Sequence, residues 1–342
     1  MAGFSGLIDV VNSFIWGPWM LVLFVGTGLF LSLRLRFLQF PVLPYALQLA
    51  FSPVQRDRSS KGDIPHFQAL MTALAATMGI GNMVGVATAV VLGGPGAIFW
   101  MWITALLGMA TKYSEAVLAV KYRVIDENGE MAGGPMYYIK RGLGCKWMAW
   151  LFAFCGAMAA FGIGNMVQVN AIASNVHNVF GVPDWITGVV VAILIALVIM
   201  GGIKSIGKAA GVLVPLMALS YMAIGLLIMI SNYHLIPQAL KIIFTEAFCA
   251  EAGYGVLIGT TIRYGISRGV FSNEAGLGSA PIAAAAAKTD HPCRQALVSM
   301  TGTFLDTIVV CSVTGIVLVM AGLYPDFSEA TAVILTSCSF DF

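Results

Sequence analysis

Apolar stretches about as long as a bilayer is thick recur along this chain of 342 residues. A membrane-spanning helix needs about 20 mostly apolar residues, because lipid offers the backbone no hydrogen-bond partners. Only 10% of the residues are charged, whereas soluble domains carry about 25%. We therefore predict an all-α integral membrane protein with eight membrane segments, at 16–33, 67–93, 97–119, 148–176, 184–201, 210–231, 254–289 and 295–322.

The basic residues predict how these segments are oriented. The connections after the first, third, fifth and seventh segments hold 14 of the 18 Lys and Arg residues, with Lys204 and Lys208 placed after the fifth. Cytoplasmic loops of membrane proteins carry such an excess. We predict a protein of the cell membrane with its amino terminus outside and its odd-numbered segments running inward.

Three connections between the segments contain sequence patterns that predict structure of their own. Residues 34–66 are amphipathic and are predicted to lie partly along the inner surface, and 126–135 form a turn-rich inner loop. The outer connection 232–253 contains QALKIIFTEAF, which predicts a short helix. None of the three has the low-complexity composition of a domain linker, so we predict a single membrane domain over 1–342.

The string GIGNMV occurs twice, at 79–84 and at 162–167. In the first copy, Gly79, Gly81 and Gly85 with Asn82 predict that the helix comes apart in mid-membrane. The second half-helix would then present amide N–H groups to an anion, and the first half would present carbonyls to a cation. The alternative is an unbroken helix whose glycines pack on a neighbour. A nucleotide loop is excluded, since no βαβ unit precedes the glycines.

The segment 254–289 also contains helix-breaking residues. Polar residues, among them Ser272 and Asn273, lie where lipid is expected and predict an aqueous cavity or a buried pair. Gly276, Gly278 and Pro281 follow, and they predict the end of one helix and the start of another. Two interrupted segments predict an inverted-repeat transporter with its site between the breaks. The first five-helix repeat would span 67–231, and the second repeat would start over 254–322.

Several runs of the chain resemble one known family. They are FSNEAGLGSAPIAAAAAKTDHP, GIGNMVGVATA, GGPGAIFWMW, KYSEAVLAVKYR and GGPMYYI. The chain is similar over essentially its whole length to the alanine or glycine:cation symporters, which are sodium-coupled carriers of small neutral amino acids. The resemblance implies a leucine-transporter-like (LeuT-like) fold with one extra helix, 16–33, before the repeats. It also implies three further core helices after Phe342, so we expect a C-terminally truncated member with an incomplete second repeat.

The resemblance implies the site residues as well. Amides around Gly79, Ile80 and Gly81 would bind the substrate carboxylate, and Asn82 would contact substrate or Na⁺. The second broken helix would meet the substrate at Ser272, Asn273, Gly276 and Gly278. The carbonyls of Ala75 and Met78, or Thr77, lie where this fold binds Na⁺.

Two further polar positions have open interpretations. Gln168, three residues after Asn165, could reach a substrate between the broken helices or make an interhelical hydrogen bond. Asp306, with Thr303 and Thr307, could hold a cation or a proton, or could pair with a buried Arg or a backbone donor. The second GIGNMV copy, which has no proline or second polar cluster beside it, is predicted to be an intact, closely packed helix.

The sequence as a whole therefore predicts a symporter that couples Na⁺ influx to uptake of alanine, glycine or a similar amino acid. The alternatives are a proton-coupled carrier that uses Asp306 and a non-transporting binding partner. The partners implied are the amino acid, Na⁺ and the lipid bilayer, with Na⁺ as coupling ion and no other cofactor. No catalytic set suggests an enzyme, and the net charge of +2 gives no sign of nucleic-acid binding. The six cysteines lack CxxC spacing and are predicted to be buried thiols.

Overall fold

The structure is a computed structural model that describes residues 14–52, 61–248 and 255–322, together with positions 6 and 11. Most of the described residues are helical. The α-helices are α1 (Pro18–Arg34), α2 (Leu43–Phe51), α3 (His66–Thr77), α4 (Val86–Gly93), α5 (Ala97–Lys121), α6 (Pro135–Tyr138), α7 (Lys146–Ala159), α8 (Val167–Phe180), α9 (Asp184–Ile199), α10 (Gly202–Ser231), α11 (Ile236–Glu246), α12 (Gly255–Asn273), α13 (Ala280–Ala285), α14 (Pro292–Thr303) and α15 (Ser312–Met320).

Shorter helical turns link several of these elements. A 3₁₀ turn, Tyr233–Leu235, precedes α11. The wider π-helical turns, which often mark functional sites, are Gly81–Gly85, Ile139–Leu143, Ala160–Met166 and Phe304–Cys311.

The described helices confirm an all-α, multi-pass membrane architecture. Four continuous helical runs are long and apolar enough to cross a bilayer, and the bent pair α3–α4 makes a fifth. The shorter α1 and α9 are also apolar. The four long runs, which include their π-helical turns, are Ala97–Lys121, Lys146–Phe180, Gly202–Ser231 and Pro292–Met320.

The first predicted break is present. Helix α3 ends at Thr77, and Met78 has an extended backbone with a ψ of 91°. The chain resumes in the π-helical turn Gly81–Gly85 and α4, bent by 54° from α3. The alternative of an unbroken helix is wrong here. The second GIGNMV copy instead lies within the continuous run Lys146–Phe180, which confirms the predicted intact helix. The prediction that this copy is closely packed is wrong, because a Cβ at Gly162 would meet no described atom within 4 Å and one at Gly164 would meet none closer than 3.9 Å.

The second predicted break is also present. Helix α12 ends at Asn273, and the backbone then turns through left-handed conformations at Glu274, Gly276 and Gly278. Pro281 lies in the first turn of α13. A backbone N–H at this position would have no acceptor within the helix, so the N–H that proline lacks is not missed. Helix α13 ends at Ala285, before the predicted segment end at 289, because residues 286–289 pair with the chain before α3.

Two connections differ from the prediction. Helix α10 begins at Gly202 rather than near 210, so Lys204 and Lys208 lie in its first turns and not in a loop. In these first turns Gly207 approaches Ile64 closely, since a Cβ at Gly207 would lie 3.1 Å from the Ile64 Cγ2. The connection between α5 and α6 holds a short hairpin, in which β1 (Val124–Ile125) pairs with β2 (Met131–Ala132). Two-residue strands are too short to show the alternation that identifies a strand.

Helix α5 is the centre of the described fold. It contacts α1, α12, α13 and α14, and Ala105, Gly108 and Ala116 are among its buried residues. Such small residues let membrane helices approach closely. The predicted short helix outside the bundle is confirmed as α11, whose Ile243 is fully buried. The tail 323–342 lies outside the described residues.

Candidate functional site

Asn82 joins the first broken helix to the π-helical turn between α14 and α15. Its side chain is 2% exposed. Nδ2 donates to Asp306 Oδ1 at 2.8 Å and to the Asp306 carbonyl at 3.2 Å, and Oδ1 accepts from the Gly79 N–H at 3.0 Å. In a continuing α-helix that N–H would bond to the Ala75 carbonyl. The break therefore leaves the Ala75 carbonyl without its helical donor.

Two more backbone groups are left over on the other side of the break. Among the described residues, the N–H groups of Ile80 and Gly81 have no hydrogen-bond acceptor. Gly81 is buried against Ser272 of α12, and a Cβ at Gly81 would lie 3.2 Å from the Ser272 Cα. Amide donors in a water-poor site beside the start of a half-helix are suited to bind an anion.

Asp306 is the polar centre where the two broken helices meet. Its carboxylate is fully buried and accepts from Asn82, from Ser272 Oγ at 2.8 Å and from Thr307 Oγ1 at 2.9 Å. The partners of this acid are thus neutral side chains of both broken helices and its own neighbour. The carboxylate and hydroxyl oxygens gathered here are of the kind that binds a hard cation, while Asn82 presents its Nδ2 to the acid.

Asn273 extends the cluster from the second break. Its Nδ2 donates to Thr307 Oγ1 at 3.3 Å, and its Oδ1 accepts from the Ala275 N–H at 3.0 Å. Its carbonyl accepts from the buried Lys112 Nζ at 2.5 Å. Ser272 and Asn273, the last residues of α12, are therefore held from several directions.

Gln168 reaches the first break from the neighbouring span. A Cβ at Gly79 would lie 3.2 Å from Gln168 Oε1, so this amide lies directly over the glycine. Asn165, in contrast, is exposed and donates to the Ala160 carbonyl of its own helix. The two side chains do not act together.

The remaining predicted residues lie at different distances from this centre. Thr77 and Met78 are buried, while Ala75 is exposed. Gly276 packs against Phe24 of α1, and Gly278 packs against Phe152 of α7. The structure thus gathers Gly79, Gly81, Asn82, Ser272, Asn273 and Asp306 and brings Gln168 to them, whereas the two later glycines face the helices around the break.

Sequence reasoning missed two features of this region. The buried Cys311 Sγ lies 3.3 Å from Asn82 Nδ2 and 3.2 Å from Ser272 Oγ, and nothing in its apolar surroundings signalled this. The second feature is Lys112 and Glu115, whose spacing of three residues on one helix is typical of a simple ion pair. Within the described residues they form no ion pair within 4.0 Å, and each contacts the second break instead.

The described residues also limit the kind of cation that fits. No group of three His, Cys, Asp or Glu side chains lies close enough together there to hold a metal ion. A cation at Asp306 would meet one carboxylate and the neutral hydroxyl oxygens of Ser272 and Thr307. Such a ligand set suits an alkali or alkaline-earth cation better than a transition metal.

Comparison with known proteins places this geometry in a family context. The whole chain, residues 1–342, matches the model of the sodium:alanine symporter family. It is 64% identical over 344 residues to the sodium/alanine symporter AgcS of Methanococcus maripaludis, covering 99% of this chain and 76% of the relative. It is 40% identical to YrbD, a putative sodium/proton-dependent alanine carrier of Bacillus subtilis, with 94% and 65% covered. GlnT, a probable sodium/glutamine symporter of Bacillus subtilis, is 36% identical, with 93% and 66% covered.

Proposed function

Because the chain belongs to the sodium:alanine symporter family, we propose that it couples Na⁺ influx to uptake of a small neutral amino acid, alanine or glycine, across the cell membrane. The observation that carries this proposal is the meeting of two broken helices at one buried acid, Asp306. Lipid-embedded backbone is normally left unpaired only where it binds a ligand or lines a cavity.

In this proposal the substrate carboxylate binds at the start of the second half of the first broken helix. The unpaired amides of Ile80 and Gly81 and the positive end of the half-helix support an anion there. Gly79, Asn82 and Gln168 would line one side of the substrate. Ser272 and Asn273 would line the other, while Gly276 and Gly278 pack against Phe24 and Phe152 of the helices around the break.

Sodium would bind on the opposite side of the same break. Asn82 and Asp306 supply side-chain oxygens, and the end of α3 supplies the carbonyls of Ala75, Thr77 and Met78. Neutral oxygens with one carboxylate satisfy a monovalent cation without excess negative charge. Because Asn82 belongs to both subsites, each ligand would stabilise the conformation that the other requires, which is the thermodynamic basis of coupling.

The wider architecture that we propose is LeuT-like. A single transport domain would hold a first repeat over 67–231 and the start of a second over 254–322, preceded by α1 as the extra helix. The amino terminus would lie outside. The placement of one break early in each proposed repeat supports this assignment, and rocking of the bundle would expose the site to each side in turn.

Proton coupling is the second candidate. It is favoured by the complete burial of Asp306, which could carry a proton in place of Na⁺, and by the name of YrbD as a sodium/proton-dependent carrier. A membrane protein that binds the amino acid without moving it is the third alternative.

Uptake into proteoliposomes separates these candidates. Purified chain is reconstituted, and labelled alanine uptake is measured under an inward Na⁺ gradient, an inward K⁺ gradient and a pH gradient without Na⁺. The proposal predicts accumulation with Na⁺ alone. Accumulation driven by the pH gradient would show proton coupling, and alanine binding without flux would show a binding protein.

A further inference from the structure

The second break leaves backbone carbonyl and N–H groups that need hydrogen-bond partners from neighbouring helices. Where α12 stops, the Asn273 carbonyl has no following turn to donate to it, and the Gly276 and Gly278 N–H groups precede the first turn of α13. In a membrane interior each unpaired group costs several kcal/mol. The six residues 273–278 therefore contain both a carbonyl acceptor and N–H donors that have no partner in their own helices.

Helix α5 presents one charge to each kind of group. Lys112 is 2% exposed and donates from Nζ to the Asn273 carbonyl at 2.5 Å. Glu115, three residues later, accepts from the Gly276 N–H at 3.2 Å, and the Gly278 N–H also faces it. Residues three apart lie on one face of a helix, so both charges point at the same loop.

We propose that Lys112 and Glu115 form a charged clamp that fixes the unwound segment 274–279 and thereby positions Ser272 and Asn273 in the binding site. They are positioning residues that touch neither substrate nor Na⁺. The clamp rests on the proposed function for its effect on binding, but its structural part stands on these hydrogen bonds alone.

The chemistry favours a clamp over a structural ion pair. An ion pair would direct each charge at the other, whereas these two charges are directed at backbone groups of opposite polarity. Hydrogen bonds to charged groups are stronger than those between neutral ones. The loop itself is further closed by Ser279 Oγ, which donates to the Glu274 carboxylate. One helix thus holds both ends of a segment that has no regular structure of its own.

The effect of the clamp on binding follows from its position. The carbonyl that Lys112 holds belongs to Asn273, whose amide donates to Thr307, and the preceding residue, Ser272, donates to Asp306. Release of this carbonyl would let the end of α12 move, and the oxygens around Asp306 would lose their fixed spacing. A preorganised site binds more tightly than one that must be ordered by its ligands.

Lys112→Met tests the clamp, with Lys121→Met as its matched control. Lys121 lies on the same helix and is exposed at its end, so its replacement removes the same charge without touching the break. For Lys112→Met we expect faster amide hydrogen exchange confined to 272–279, and an alanine half-saturation raised about tenfold or more. Lys121→Met should match the parent in both measurements.

Glu115→Ala provides a second variant, should Lys112→Met fail to fold. It removes the acceptor of Gly276 and predicts the same local rise in exchange. If amide hydrogen exchange over 272–279 in both Lys112→Met and Glu115→Ala equals that in Lys121→Met, the clamp proposal is wrong. Failure of the proposed function is distinguishable, because the parent would then show no Na⁺-dependent alanine binding while the hydrogen exchange still decides the clamp.

Discussion

At the scale of single residues, the two GIGNMV copies provide an internal comparison. Asn82 is buried and bonds to Gly79, Asp306 and Cys311, whereas Asn165, at the same place in the second copy, is exposed and bonds only to its own helix among the described residues. The same residue type is therefore buried in the polar cluster around Asp306 in one copy and exposed in the other.

Asn82→Ala should abolish Na⁺-stimulated alanine uptake, or raise the alanine concentration at half-saturation about tenfold to a hundredfold. The reason is that hydrogen bonds to a charged group contribute about 1.5–3 kcal/mol each. Asn165→Ala should change uptake little, as exposed substitutions do. Uptake assays normalised to the amount of protein in the membrane compare the two. Equal activity in both variants would contradict the assignment of Asn82.

The glycines of the two copies make a second matched pair. A Cβ at Gly81 would press on the Ser272 backbone at 3.2 Å, whereas at Gly164 the nearest atoms are 3.9 Å away. Gly81→Ala should push the broken helices apart and lower alanine affinity about tenfold, since overpacking costs about 1–3 kcal/mol. Gly164→Ala should leave affinity unchanged. Binding measurements on the two purified variants would contradict this if both kept parental affinity.

Single residues also show what the sequence could not reveal. The polar character of Asn82, Ser272 and Asp306 in apolar surroundings was visible, because lipid makes every such residue conspicuous. Cys311 was not visible, since an apolar thiol in an apolar helix carries no signal. The bonds of Lys112 and Glu115 to the second break were also hidden, because their partners are backbone groups brought near only by the fold.

At the scale of elements, the chain just before the first broken helix is joined to the chain just after the second. Ile64, before α3, pairs with Ala287 in a short parallel bridge, and the Lys288 N–H donates to the Ile64 carbonyl at 2.7 Å. Arg123 spans the joint, donating to the carbonyls of Ala285, Ala287 and Lys61 at 2.8–2.9 Å. On the predicted orientation this joint closes the inner side of the site.

Arg123→Met should loosen that joint. The variant loses three charge-assisted bonds to backbone carbonyls, so amide exchange at 61–64 and 286–289 should rise about tenfold or more. Arg141→Met removes an exposed charge from the π-helical turn Ile139–Leu143 and should leave exchange unchanged. Protection of the joint in Arg123→Met equal to that in Arg141→Met would show that the backbone bridge holds alone.

The breaks in the membrane helices could be predicted from the sequence, whereas some helix ends could not. The breaks at Gly79–Gly81 and at Gly276–Pro281 followed from glycine and proline, because these residues act locally. The start of α10 and the end of α13 did not, because each depends on a neighbour, in one case Ile64 beside Gly207 and in the other the bridge to Ile64. Tertiary contacts decide such boundaries, and spacing along the chain does not contain them.

At the scale of the whole molecule, the proposed orientation makes a prediction. Asn128 in the inner hairpin and His234 before α11 are both exposed and lie at opposite ends of the bundle on the proposed topology. In intact cells a membrane-impermeant maleimide should label His234→Cys and not Asn128→Cys, with the unsubstituted chain giving the background. The reverse pattern would place the amino terminus inside.

The central claim is that one break binds both the substrate carboxylate and Na⁺. The most direct test measures alanine binding to the purified 342-residue chain in lipid nanodiscs by calorimetry, in NaCl and in choline chloride of equal ionic strength. If one break binds both the carboxylate and Na⁺, alanine should bind saturably in NaCl and at least about tenfold more weakly in choline, a coupling of about 1.4 kcal/mol or more. Equal affinity in the two salts, or binding in neither, would contradict the account.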